Sequence, residues 1–521
     1  MPLEADVLLV NGRVTTLADD GTPPEVDALA LRGGRVLFAG SEREANEHVT
    51  GHTTVVDLGG RRVVPGLIDS HIHFVRAGLT WNDEVRWEGV PDLATGLARI
   101  EDAARKLPAG TWIRVIGGWH PGQLAERRGP TLAELDRVAQ NHPVFLQCTY
   151  DWGMLNTRGR EEIDIPDGVV HGMAALRQLY WQLPVPSLEQ QVASTAAASA
   201  ELSRLGLTGV IDGGGSNSGP DIYRAVYETW RRGRLTVRTR LMVHSAKPGS
   251  EMAELHGFLR FLPAGLGDEM LRVLGMGEIV HYGVHDGFER DPQPAARTVA
   301  ELDEIFRACL LQRWPVQIHT IRPDTIELVL GLWERLDPRL VRELRWSLVH
   351  GEGLGDDQVA RLARLGAGVL APAMLRFEAE DLTAEWAVQR AGFLPPLRNL
   401  LVAGVPVGGG TDAMRVASYD PFTALHWYVS GQTVSGRQAA AEGNLLTRVE
   451  ALRTYTHDAA WFSFEERDRG RLQPGLLADL VALDRDYFTV PTAEIPAVRP
   501  ELTLVGGRPT WTAEAFKGAF P

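Results

Sequence analysis

The stretch GLIDSHIHF, residues 66–74, sets His71 and His73 one residue apart at the end of an apolar run. Successive side chains of a strand point to opposite faces, so the two imidazoles share one. Two neutral imidazoles on one face can hold a metal ion, or they can be hydrogen-bonded polar residues at a strand end. The metal reading needs further ligands, and the ends of later apolar runs offer Glu278, His319, His350 and Asp412. Each has an ordinary alternative. His350 alone reads as a hydrogen-bonded core histidine, and Asp412, in GGGTDA, as a turn or helix N-cap residue. Together, four histidines and two carboxylates suit one or two Zn2+-like divalent ions per chain, with water at an open position.

Such a set works only if the fold gathers strand ends. Apolar runs VVPGLIDSHIHF, LTGVIDGGG, LTVRTRLMVH, MLRVLGMGEIV, PVQIHT, RWSLVHGE, AGVLAPA and GVPVGGGTDA are separated by helical stretches such as SLEQQVASTAAASAELSRL and TVAELDEIFRACLLQR. Eight strands alternating with helices predict an α/β fold, a (β/α)8 TIM-type barrel whose C-terminal strand ends form one pocket. The expected barrel spans 65–466. An insertion at about 75–207, between strands one and two, holds TWIRVIGGW and HPVFLQCTY. Short strands with Gly and Asn turns at both chain ends predict a small composite β-sandwich domain from 1–64 with 467–521.

The 521 residues, 44% hydrophobic and 23% charged, are ordinary for a globular protein of one large barrel with additions. A net charge of −14 disfavours nucleic acid as a partner. Two cysteines fit a reducing cytosol rather than a disulfide framework. The opening MPLEADVLLVNGRVTTL lacks a basic run followed by an apolar core, and no apolar stretch is long enough to span a bilayer. The expectation is a cytoplasmic protein acting on a small molecule, without a membrane partner; a homodimer is an admissible state.

The HxH after strand one, single histidines after strands five and six, and the aspartate after strand eight resemble the amidohydrolase superfamily of metal-dependent hydrolases. The tail LTRVEALRTYTHDAAWFSFEERDRGRLQPGLLADLVALD is similar to the branch that includes N-substituted formamide deformylases. The resemblance implies that His71 and His73 hold the more buried metal with Asp412, and that His319 and His350 hold a second. Asp412 would be the acid–base group, with His350 as the other catalytic candidate. Many members bridge two metals with a carbamylated lysine after strand four. This chain has three lysines, of which Lys106 and Lys517 lie in the insertion and tail. Glu278 is therefore the expected bridge, because a carboxylate can also span two cations. A single-metal site and Lys247 remain the alternatives, and His281 and His285 are read as structural. Two departures, His319-Thr320 in place of a Gly-Asp-type continuation and YDWGMLN without the histidine of Asp-Gly-His, point to altered substrate groups rather than altered metal ligands.

Arg322, Arg376 and Arg415 follow strand ends and are candidates to clamp an anionic substrate. Trp81, Trp119, Trp152 and Tyr282 are candidates to line an apolar pocket. The expected reaction is cleavage of a C–N bond, in an amide, N-substituted formamide or cyclic amide, by metal-activated hydroxide. The alternatives are a mononuclear amine deaminase, which usually needs a glutamate just past the strand-five histidine that HTIRPD lacks, and a non-catalytic scaffold, which predicts missing ligands.

Overall fold

A computed structural model describes residues 3–215, 220–288, 290–382 and 394–520. It is a mixed α/β structure with several sheets. Eight parallel strands occupy the eight predicted runs: Leu67–Ile72, Leu207–Asp212, Arg238–Val243, Leu271–Met276, Gln317–Thr320, Ser347–His350, Gly368–Pro372 and Val407–Gly410. All but one residue of these strands is buried, which is why they read as near-continuous apolar runs rather than alternating ones.

Hydrogen bonding divides the eight into two four-stranded sheets, strands one to four and strands five to eight. Their edges meet twice. Met276 of strand four bridges Val316 just before strand five. At the other side, the Asp412 N–H donates to the His71 carbonyl and the His73 N–H to the Ala413 carbonyl, both at 2.9 Å. The bonds at this second seam link the residues immediately beyond strand eight to the HxH motif.

Helices cover the strands where the sequence supplies caps. Ser187 opens Leu188–Arg204 in a reciprocal capping box with Gln190. Asp420 caps Pro421–Ser430, with Pro at the first position. Between strands one and two lies a separate four-stranded sheet, from Ile113–Ile116 to Val169–His171. The two chain ends meet in a six-stranded sheet: Arg62–Pro65 near the start pairs antiparallel with Leu480–Leu483 near the end. Leu9, Leu31, Val63, Leu480 and Leu502 share one apolar cluster there.

Candidate metal centre

The six predicted ligands converge. His71, His73, Glu278, His319, His350 and Asp412 are all buried. His71 Nε2 lies 3.3 Å from Glu278 Oε2 and 3.6 Å from Asp412 Oδ1. His73 Nε2 lies 2.9 Å from Asp412 Oδ1 and 3.6 Å from Glu278 Oε1. Across the same space, His319 Nδ1 is 3.8 Å from Glu278 Oε2 and His350 Nε2 is 3.9 Å from Asp412 Oδ2. Three sets, His71–His73–Glu278, His71–His350–Asp412 and Glu278–His319–His350, each keep their ligand atoms within 4.8 Å of one another.

The supports of these side chains orient nitrogens toward that space. The short contact from His73 Nδ1 to the Gly214 carbonyl, 2.6 Å, assigns the proton to Nδ1 and leaves the Nε2 lone pair free. His319 is fixed the opposite way: its Nε2 donates to Asp286, at 3.1 Å to the carbonyl and 3.2 Å to the carboxylate, so Nδ1 faces Glu278. Behind His350 stands Glu352, fully buried, with Oε1 3.6 Å from His350 Nδ1. Both ring nitrogens of His71 are buried with no hydrogen-bond partner. A buried polar group left without a partner is costly, and a cation at this point would satisfy it. The donor set of imidazoles and carboxylates is what Zn2+ accepts, so the residues fit a divalent metal.

The two carboxylates make this space attract positive charge, as protons on the histidines or as a cation in their place. Burial pushes His71 down, but Asp412 and Glu278 overcome it and draw it up to about 10. His319 reaches about 10 in the same way, burial opposed by Asp286 and Glu278. Burial would raise Asp412 and Glu278; the surrounding histidines instead hold both well below the ordinary carboxylate range. Two of the six residues sit in left-handed backbone, His350 at φ 78° and Asp412 at φ 60°. Such positions cost on the order of 1–3 kcal/mol each, and they concentrate where geometry serves a site.

Several contributors carry no obvious sequence signal. Asp69, buried at the head of the HxH, accepts from the backbone of His71 and from both Thr411 N–H and Oγ1, tying strand one to the Asp412 turn. Asp286 also accepts from the N–H groups of Ile321 and Arg322. The Gly213–Gly215 run after strand two makes room: a Cβ at Gly213 would lie 2.5 Å from His71 Cε1. Gly213→Ala is therefore expected to displace His71 and weaken zinc binding by about 10–100-fold, the usual cost of a disturbed ligand support. Competition with a chelating dye measures this, and wild-type affinity in the variant would show that His71 does not bind.

A cavity of about 360 Å³ opens onto these residues, lined also by Arg76, Tyr150, Met173, His285, Phe288 and Glu378. The substrate candidates from the sequence are distributed differently. Trp119 is fully buried between Trp87 and Trp152, its Nε1 donating to the Gln147 carbonyl, and Trp81 packs on Tyr419. Tyr282 is buried with its hydroxyl on the Ala246 carbonyl. Arg322 is engaged by Asp291 and the Phe288 carbonyl, and Arg376 by His426 and the Gln432 carbonyl, facing another cavity with Glu88. Arg415 stacks 3.9 Å over the Tyr180 ring. Lys247 is exposed in the loop after strand three, His281 is held by Glu301, and His285 stacks 4.1 Å from His319.

A model described as the amidohydrolase family matches residues 54–511 of this chain. The chain is 25% identical over 551 aligned positions to the N-substituted formamide deformylase of Arthrobacter pascens, covering 96% of this chain and 97% of that protein. Among solved structures it resembles an uncharacterized metal-dependent hydrolase from Pyrococcus horikoshii OT3, with a TM-score of 0.69, 20% identity, and coverage of 94% of this chain and 99% of that one. It also resembles the atrazine chlorohydrolase TrzN from Arthrobacter aurescens TC1 complexed with zinc, with a TM-score of 0.55, 16% identity, and coverage of 98% and 96%.

Proposed function

The chain belongs to the amidohydrolase family, and on that premise we propose that it hydrolyses a C–N bond of a small amide, N-substituted formamide or cyclic amide at a two-metal centre. The observation that carries this reading is the position of Glu278, which belongs both to the set with His71 and His73 and to the set with His319 and His350. A carboxylate shared by both sets would help to hold both ions. We assign His71, His73 and Asp412 to one ion, His319 and His350 to the other, and zinc as the metal, supported by the donor set and by the zinc in the TrzN complex. The eight strands are read as a closed (β/α)8 barrel, with 1–64 and 467–521 forming a β-sandwich domain beside it and 75–207 as an insertion. The free, buried thiols Cys148 and Cys309 fit a reducing, cytoplasmic setting, and no helix among the described residues is long and apolar enough to cross a membrane.

When bound, a divalent cation would lower the pKa of water from 15.7 toward ~7 and polarise the scissile carbonyl. The chain supplies the proton traffic. Asp412, ionised and facing the cavity between His73 and His350, accepts the proton of the attacking water and returns it to the leaving nitrogen. The side chains that carry this traffic are buried, which strengthens each of these interactions.

Metal per chain, measured by elemental analysis after reconstitution with zinc, tests the centre. Two equivalents are expected, falling to one in Glu278→Gln, which keeps the shape but removes the bridging charge. One equivalent in both proteins would replace the two-metal reading with a mononuclear one. A panel of N-substituted formamides and cyclic amides then tests the reaction, with no turnover by zinc-loaded protein counting against it.

A further inference from the structure

Deepening the hydrolase reading, on which it rests, we propose that Arg76, beside Tyr150 in the cavity wall and with Arg415 behind it, forms an anion subsite, so that the substrate carries a carboxylate. Arg76 lies in the short helix Phe74–Gly78, immediately past the HxH, and lines the same cavity as His73, Glu278 and Asp412. It is 9% exposed, and its Nη2 is buried with no hydrogen-bond partner. Among the described residues no carboxylate forms an ion pair with it. Most buried arginines elsewhere have a carboxylate partner: Arg62 meets Asp486, Arg238 meets Asp479, Arg240 meets Glu465 and Arg361 meets Glu334, whereas Arg114 donates to the Pro184 carbonyl. A guanidinium cannot shed its proton, so burying one without a counter-charge is costly.

A second guanidinium deepens the imbalance. Arg415 stacks on Tyr180, forms no ion pair among the described residues, and is pushed down first by burial and then by the charge of Arg76. Tyr150, in the cavity wall, has its ring 5.9 Å from the Arg76 guanidinium carbon. Arg76 lines the cavity wall with one donor nitrogen unused, and Arg415 lies in its field, so an anion entering the cavity beside them would gain from both charges. The planar guanidinium fork matches a carboxylate in particular. Asp151, Glu378 and Asp381 also line the cavity, and none forms an ion pair with Arg76. Burial, reinforced by Asp381, Asp412 and Asp151, raises Glu378 above the ordinary carboxylate range. Met173, Phe288, Met374 and Val416 add apolar surface to the cavity wall, suited to the body of such a substrate.

The test compares N-formylphenylalanine with its neutral carboxamide, N-formylphenylalaninamide, by calorimetric binding to the full chain with and without added zinc. The carboxylate member is expected to bind about 10–100-fold tighter, the range for a charge-assisted hydrogen bond. In Arg76→Met that preference should collapse toward unity, while Arg76→Lys should keep part of it. Removing an unpaired buried charge should also raise the melting temperature of Arg76→Met, which a structural arginine would not do. Equal binding of the pair, no binding of either, or a preference that survives Arg76→Met would overturn the subsite. Formate release followed in the same samples keeps the two readings apart. Carboxylate preference without formate release counts against the hydrolase alone; formate release without preference counts against the subsite alone.

Discussion

Asp412→Asn should lower kcat/KM by about 10²–10⁴-fold on any substrate the zinc-loaded protein hydrolyses, the usual contribution of a positioned acid–base group. The substitution is chosen for what it preserves. Asp412 sits at φ 60°, a backbone region that asparagine tolerates and alanine does not, so the turn between strand eight and the HxH should survive. The amide oxygen still offers a ligand atom to the space shared with His73 at 2.9 Å. What disappears is the charge. Burial opposes ionisation at this position, and only the histidines around it hold Asp412 as a carboxylate ready to accept a proton. Metal content measured on the same sample divides the outcomes. Activity lost with both metals retained identifies proton transfer as the missing step, whereas activity lost together with metal identifies Asp412 chiefly as a ligand. Near-wild-type turnover would remove Asp412 from the chemistry.

The convergence of the six candidate ligands was legible in the sequence because parallel strands place their C-terminal ends on one side, whatever the loops between them do. His71, His319, His350 and Glu278 could be read from where apolar runs stop, and the eight runs became eight strands. What the sequence hid are contacts between distant segments. The carbonyl that fixes the His73 tautomer belongs to Gly214, 141 residues away, and Asp69 meets Thr411 across 342 residues. Neither residue type advertises such a role. Arg76 was hidden differently. One arginine in a chain rich in them carries no signal, and its character comes from what is missing around it, a counter-charge, which only the packed cavity displays. The aromatic candidates failed to reach the cavity for the opposite reason. The insertion has an apolar core of its own, and Trp119 fills it beside Trp87 and Leu146.

The tail that most resembles one branch of the superfamily also carries a structural charge cluster, and Glu465→Ala should cost about 3–5 kcal/mol in urea unfolding. Glu465 receives two bonds from Arg240 of strand three, at 3.1 and 2.6 Å, and two from Arg469, at 3.2 and 2.6 Å. Both arginines are fully buried, and a Cβ at Gly209 of strand two would lie 2.1 Å from Arg469 Nη1, so the guanidinium fills space that only a glycine leaves. Removing the carboxylate strands two cations in the interior, which is far costlier than replacing the whole cluster with apolar groups. Acid should expose the same dependence. Burial would raise Glu465, but Arg469 and Arg240 hold its carboxyl far below the unfolded value of ~4.3. A depressed folded pKa contributes stability that is complete above the unfolded value and is lost as pH falls toward the folded one. The stability gap between wild type and Glu465→Ala should therefore be widest near neutrality and narrow below about pH 4. A gap under about 1 kcal/mol at pH 7, the scale of an exposed pair, would mean that water reaches the cluster and that the tail is held to strand three by packing instead.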